Sequence, residues 1–299
     1  MISTLTDALE IRPVILDGGL ASQLEAQGHR INSELWSASL LHDDPNAIVQ
    51  AHVAYFAAGA QVATTASYQA SIDGFVRAGI SRVEAQKLIK LSVRLAQQAR
   101  ACCEDDHECW IAGSVGPYGA ALADGSEYRG DYDVSVQELR DWHRPRIELL
   151  VEAGVDILAL ETIPCVAEVE ALLAEIDGSG QPCWLSITCA GDRTRAGEPV
   201  AEAFALAGDV DEIIAVGANC IDPADAYVLV RIASQAAGKP VVIYPNSGER
   251  WYSSTKSWTG PATFQADQIQ DWISGGARLV GGCCRVGPTE IKAIRDLVA

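Results

Sequence analysis

The chain has 299 residues, 48% of them apolar, nine cysteines and a formal net charge of −18. This length and apolar share are enough for a large buried core, and the negative charge argues against nucleic acid and anionic membrane surfaces as partners. No apolar run approaches the roughly 20 residues of a membrane span, and the opening Met1–Asp7 stretch lacks the basic start and apolar centre of a signal peptide. An odd number of cysteines without framework spacing suits free thiols in a reducing cytoplasm.

In chain order, apolar runs predict strands at Val14–Leu16, Gln61–Ala66, Trp110–Ser114, Ile157–Leu160, Cys183–Thr188, Ile213–Val216, Val241–Tyr244 and Arg278–Val280. Runs as continuous as Ile157-Leu158-Ala159-Leu160 imply strands buried on both faces, as in a parallel sheet. Amphipathic helices lie between them. Ser81 with Glu84, and Ser135 with Glu138, have capping-box spacing. Leu88, Leu91 and Leu95 form one apolar stripe, and Val166, Val169 and Leu173 another. Helix stops are expected at Gly59, Gly154 and the Gly275-Gly276 pair, and Pro145 is expected to kink its helix.

Eight strand–helix units without a linker predict an α/β chain folded as a single (β/α)8 TIM-type barrel of parallel strands, one domain over residues 1–299. A doubly wound sheet would need a Gly-x-Gly-x-x-Gly turn after an early strand, and Asp17-Gly18-Gly19-Leu20-Ala21-Ser22 does not supply one.

The chemistry concentrates in cysteines. Cys283 and Cys284 follow an apolar run within Gly281-Gly282-Cys283-Cys284-Arg285, and Cys220 closes the run that starts at Ile213. Three thiols at two strand ends are what a catalytic zinc site with an open fourth position needs, and soft thiolates favour zinc over magnesium or calcium. The plain alternatives are small buried hydrophobes or a disulfide between neighbours, which strains its geometry. Cys102, Cys103 and Cys109 flank His107 but have no second cluster to complete a site, so they read as structural. Cys165, Cys183 and Cys189 read as core or loop thiols.

Barrel active sites lie at the C-terminal ends of strands. Residues with chemistry fall there: Asp17 after the first predicted strand, Ser67-Tyr68 after the second and Gly116-Pro117-Tyr118 after the third. Glu161 follows the fourth, Cys220 the sixth, Pro245-Asn246-Ser247-Gly248 the seventh and Cys283-Cys284 the eighth.

Asp17-Gly18-Gly19, Gly113-Ser114-Val115-Gly116-Pro117-Tyr118-Gly119, Glu161-Thr162-Ile163-Pro164, Asn219-Cys220 and Gly281-Gly282-Cys283-Cys284-Arg285 together resemble the zinc-dependent homocysteine S-methyltransferases, in the same order and across nearly the whole chain. The 123–132 and 244–249 segments look most like the branch that uses S-methylmethionine. No cobalamin or folate module accompanies them, which disfavours the large cobalamin-dependent methionine synthases.

The resemblance implies methionine synthesis from homocysteine, one zinc per chain on Cys220, Cys283 and Cys284, and two small-molecule substrates, homocysteine and a sulfonium methyl donor, as partners. It gives Asp17 and Glu161 the homocysteine ammonium, their plain roles being a helix cap and a salt bridge. It gives Thr65, with the backbone of Gly18 and Gly19, the carboxylate; a buried strand threonine is the alternative. Donor-site candidates are Trp36, Tyr118, Tyr128 and Asn246, with Trp251 and Trp258 as further loop aromatics whose faces can receive a sulfonium. Asp124, Glu127, Asp131 and Asp133 suggest an acidic rim around a cationic donor, or simply a solvated loop. S-adenosylmethionine or betaine as donor, and selenocysteine or selenohomocysteine as acceptor, remain alternatives. A zinc-storing or redox-sensing protein would have no use for Asp17 and Glu161 at strand ends.

Overall fold

A computed structural model of the chain describes residues 4–29, 31, 36–103, 108–252 and 257–298, apart from the side chains of residues 36, 37, 251 and 252. His107 and the side chains of Trp36 and Trp251 therefore lie outside the described residues. Eight parallel strands form the barrel: β1 Val14–Ile15, β2 Val62–Thr64, β3 Trp110–Val115, β4 Ile157–Ile163, β5 Cys183–Ile187, β6 Ile213–Asn219, β7 Val241–Tyr244 and β8 Ala277–Val280. They are hydrogen-bonded in the order β1-β8-β7-β6-β5-β4-β3-β2. A parallel bridge between Leu16 and Val62 brings β1 back to β2, with Gln61 N–H donating to the Ile15 carbonyl at 2.7 Å and Asp17 N–H to the Val62 carbonyl at 3.1 Å. The expected barrel is therefore present, and every expected strand has its counterpart.

Strand ends differ from the sequence reading in two places that matter. β2 is shorter, because after Thr64 the chain turns, with Ser67 N–H donating to the Thr65 carbonyl. β4 is longer: Glu161 lies inside it rather than beyond it, next to Thr162 at φ 62°, where the register with β5 shifts. A left-handed backbone is unusual for a β-branched residue. Thr162 is held there by the Asn219 side chain, which accepts from Thr162 N–H at 2.7 Å and donates to its hydroxyl at 2.8 Å.

The helices pack outside the strands. Ser135 and Glu138 cap the helix Val136–Glu152 reciprocally, and Pro145 lies inside it without ending it. Ser81 caps the helix Arg82–Ala101 through Glu84 N–H. Gly59, Gly154 and Gly276 take the left-handed conformation expected at helix stops. Inside the barrel, inward residues stack along each strand: Trp110 and Ala112 on β3, Ile157 and Ala159 on β4, Trp184 on β5, Ala215 on β6, Val242 and Tyr244 on β7. Leu5, Ala8 and Leu9 of the short helix Leu5–Ile11 pack into this cluster just ahead of β1, filling the end opposite the site.

One buried group gives a pH-dependent term. His52, in the helix Pro45–Ala58, is fully buried, with no partner for either ring nitrogen. Burial pushes its pKa down to about 4, from 6.5. A base with a lowered folded pKa contributes stability above its unfolded pKa and loses it as pH falls. Between pH 6.5 and 4 this ring alone should account for a loss of about 3 kcal/mol. His52→Leu should flatten urea-unfolding stability over that window, and identical slopes for both proteins would contradict the assignment.

Candidate metal centre and substrate pocket

Two strand ends converge on the thiols. Cys220 follows β6 directly and adopts φ 51°, with its N–H bonded to the Tyr244 carbonyl at 3.3 Å and its carbonyl accepting from the Thr188 hydroxyl. After β8, Gly282 N–H donates to the Asp17 carbonyl and Cys283 N–H to the Pro245 carbonyl. The Asn246 side-chain carbonyl accepts from Cys284 N–H at 3.0 Å. Cys220 Sγ lies 2.7 Å from Cys283 Sγ and 4.0 Å from Cys284 Sγ. These three are the metal-capable cluster among the described residues, their sulfurs all within 4.8 Å of one another. The Cys102–Cys109 segment forms no such group among its described residues. None of the nine cysteines is in a disulfide.

The glycines beside Asp17 are a packing requirement. A Cβ on Gly18 would sit 2.2 Å from the Val286 carbonyl oxygen, and one on Gly19 2.6 Å from that of Cys283. Gly19 N–H donates to the Val286 carbonyl, and the Tyr55 hydroxyl reaches the carbonyls of both Gly19 and Val286, at 3.0 and 3.1 Å. The turn after β1 is thus laid against the cysteine turn after β8.

A cavity of about 120 Å³ opens in front of the thiols. Its wall includes Asp17, Gly18, Gly19, Thr65, Glu161 and Tyr128, which the sequence singles out, together with Cys220, Cys283 and Cys284. Asp17 accepts from Thr64 N–H at 2.7 Å and its hydroxyl at 2.9 Å, yet burial raises its pKa to about 8. Glu161 accepts from the hydroxyls of Ser114 and Tyr244, the latter at 3.1 Å, and burial raises its pKa to about 6. Two carboxylates driven towards neutrality in one small cavity would both gain from a cation placed between them.

Two of the donor-site candidates, Tyr118 and Asn246, lie outside this wall. Tyr118 is outside this wall and packs edge-on against Tyr132 and Trp142, with ring centroids at 5.4 and 5.2 Å. Asn246 is also outside it and holds the Cys284 turn. The wall instead includes Tyr68, Glu127, Ser114 and Tyr244. Period-two counting finds three of the polar groups at this end of the barrel: Ala112 leads to Ser114, Ala159 to Glu161 and Val242 to Tyr244, each two residues beyond an inward apolar side chain. Behind them, Arg146 ties two loops together by donating to the carbonyls of Gly116 and Tyr68, at 2.5 and 3.2 Å. A wider hollow of about 520 Å³ beside the 130–135 loop shares no wall residue with this cavity and contains none of the clustered thiols.

The profile of the homocysteine S-methyltransferase family matches residues 14–298. The chain belongs to this family. Homocysteine S-methyltransferase YbgG of Bacillus subtilis is 41% identical over 298 residues, covering 94% of this chain and 93% of its own length. The homocysteine methyltransferase MmuM of Escherichia coli, solved in a metallated form, superposes with a TM-score of 0.88 at 38% identity, over 97% of this chain and 98% of that one. The selenocysteine Se-methyltransferase of Brassica oleracea var. italica is 39% identical over 94% of this chain and 87% of its own. Membership makes the chain a methyltransferase acting on homocysteine. No described helix is long and apolar enough to cross a membrane.

Proposed function

We propose that the chain transfers a methyl group from S-methylmethionine to L-homocysteine, with one zinc per chain, giving two methionines; it works as one barrel domain in the reducing cytoplasm. The reading is carried by one observation: three thiols and two buried carboxylates share a cavity at the strand ends. Cys220, Cys283 and Cys284 would hold the metal. Zn–S bonds of ~2.3 Å imply sulfur–sulfur edges of roughly 3.8 Å around a tetrahedron. The 4.0 Å pair meets this, and the 2.7 Å pair would have to open by about 1 Å. Zinc in that position would supply a Lewis acid that keeps an incoming thiol deprotonated.

The chain's own side chains then bind and aim. Asp17 and Glu161 hold the homocysteine ammonium, while Thr65 and the turn at Gly18 and Gly19 receive its carboxylate. The homocysteine sulfur forms a bond to the donor methyl carbon as that carbon's bond to the sulfonium sulfur breaks. The bonding pair stays on the donor sulfur, which becomes a neutral thioether, and the thiol proton leaves to solvent. No group needs to transfer a proton at the reacting carbon, so positioning is the main demand on the protein. The test uses S-methylmethionine labelled in both methyls and backbone-labelled homocysteine. Methionine carrying both labels is the expected product. Its absence, with product from S-adenosylmethionine or betaine in parallel reactions, would overturn the donor. The Brassica relative gives a selenol acceptor a specific footing, so selenocysteine and selenohomocysteine belong in the same assay.

A further inference from the structure

Glu127 is a buried acid that no described cation pairs with directly, although the Arg129 charge acts on it from a distance. It belongs to the short 3-10 turn Ser126–Tyr128, is 8% exposed, and lines the same cavity as the three thiols. Its Oε2 has no hydrogen-bond partner. The nearby arginines are engaged elsewhere. Arg129 pairs with Asp131 at 3.2 Å and Asp124 at 3.9 Å. Arg195 donates to the Thr188 hydroxyl and lies 5.6 Å from the Tyr128 ring centroid. The turn cannot easily back away, because a Cβ on Gly119 would already lie 2.5 Å from Glu127 N.

A buried carboxylate with an open valence is costly, and proteins keep such groups where a ligand completes them. Burial pushes its carboxyl pKa up, which a bound cation would reverse. The neighbours indicate which kind of cation. Tyr68 and Tyr128 stand on the same wall, and the Tyr68 side chain is already bonded to Thr162. An ammonium needs several acceptors for its hydrogens, whereas a sulfonium donates none and is satisfied by charge and aromatic faces.

We propose that Glu127 is the counter-charge of the methyl donor, its free carboxylate oxygen facing the sulfonium sulfur between Tyr68 and Tyr128. This rests on the sulfonium-donor reading above. The pairing exists only before transfer, since the donor sulfur leaves neutral. Glu127 therefore favours donor over product in binding and does not speed the chemical step, because the interaction is stronger in the ground state than in the transition state.

The test compares the metal-loaded wild type with Glu127→Gln and Glu127→Asp, using calorimetric titration with S-methylmethionine, trimethylsulfonium, methionine and homocysteine. In Glu127→Gln both sulfonium affinities should fall about 30-fold or more, the lower end for removing one partner of a buried charge pair. Methionine and homocysteine should change by less than about threefold, and Glu127→Asp should recover part of the loss. Donor KM should rise with kcat undiminished. Glu127→Gln should melt no lower than wild type, since an unpaired buried charge has been removed. Equal losses for methionine and S-methylmethionine, a lower melting point with all ligands weakened, or no loss at all would each overturn the assignment. The donor reading fails separately: wild type that turns over S-adenosylmethionine but not S-methylmethionine sinks it, while weakened trimethylsulfonium binding in Glu127→Gln still supports the counter-charge.

Discussion

Replacing Cys220, Cys283 or Cys284 with alanine is expected to remove metal and activity together while the barrel stays folded. Substituting even the partners behind a metal ligand typically lowers affinity or activity by roughly 10- to 100-fold, so losing a ligand should leave below about one hundredth of wild-type turnover. The fold should survive because the thiols stand beyond the strands. Cys220 follows the last residue of β6, and Cys283 and Cys284 lie past Gly281 and Gly282. Cys283 packs against the edge of the barrel core, while the large side chains that build that core, Trp110, Ile157, Trp184 and Val242, lie on the strands themselves. Each change removes one sulfur from a group that is partly exposed at Cys283 and Cys284. Metal content by mass spectrometry, circular dichroism and turnover should be measured on the same preparations. A single-cysteine variant that keeps one zinc and full turnover would remove that residue from the ligand set. Loss of the circular dichroism signal would mean that the turn supports the fold.

Much of this was readable from one chain because a parallel barrel leaves an unusually regular trace. Strands buried on both faces read as apolar runs, and β7 falls on its expected residues, Val241–Tyr244. The thiol cluster was legible because the C-terminal ends of barrel strands meet at one mouth, which brings Cys220 to Cys283 and Cys284. What stayed hidden depends on side-chain direction rather than residue type. Tyr118 looked like a mouth aromatic, yet it turns to Trp142 and Tyr132. Asn246, in a loop beside the site, spends its side-chain carbonyl on Cys284 N–H. The sequence puts Glu161 past a strand end because nothing in it marks the left-handed Thr162, whose conformation depends on Asn219, 57 residues away. Glu127 was one acid among four in its loop, and only burial separates it from exposed Asp124 and Asp131.

Glu161→Gln should separate acceptor recognition from metal binding. The substitution keeps size and removes the charge assigned to the homocysteine ammonium. Its two present donors, the Ser114 and Tyr244 hydroxyls, can turn to accept from the new amide, since Tyr244 also contacts Ser186 Oγ at 2.6 Å and so has another group to donate to. The site should therefore stay intact, and zinc should stay near one per chain because no thiol is touched. Homocysteine KM should rise by an amount worth about 2 to 5 kcal/mol, since the ammonium would be left buried without its partner. Asp17 remains on the same wall and sets the lower end of that range. A simple alkyl thiol has no ammonium to lose, so its rate should change far less and the preference for homocysteine over it should collapse. Equal slowing of both thiols with zinc retained would mean that Glu161 shapes the cavity through Ser114 and Tyr244 and does not read the amino acid.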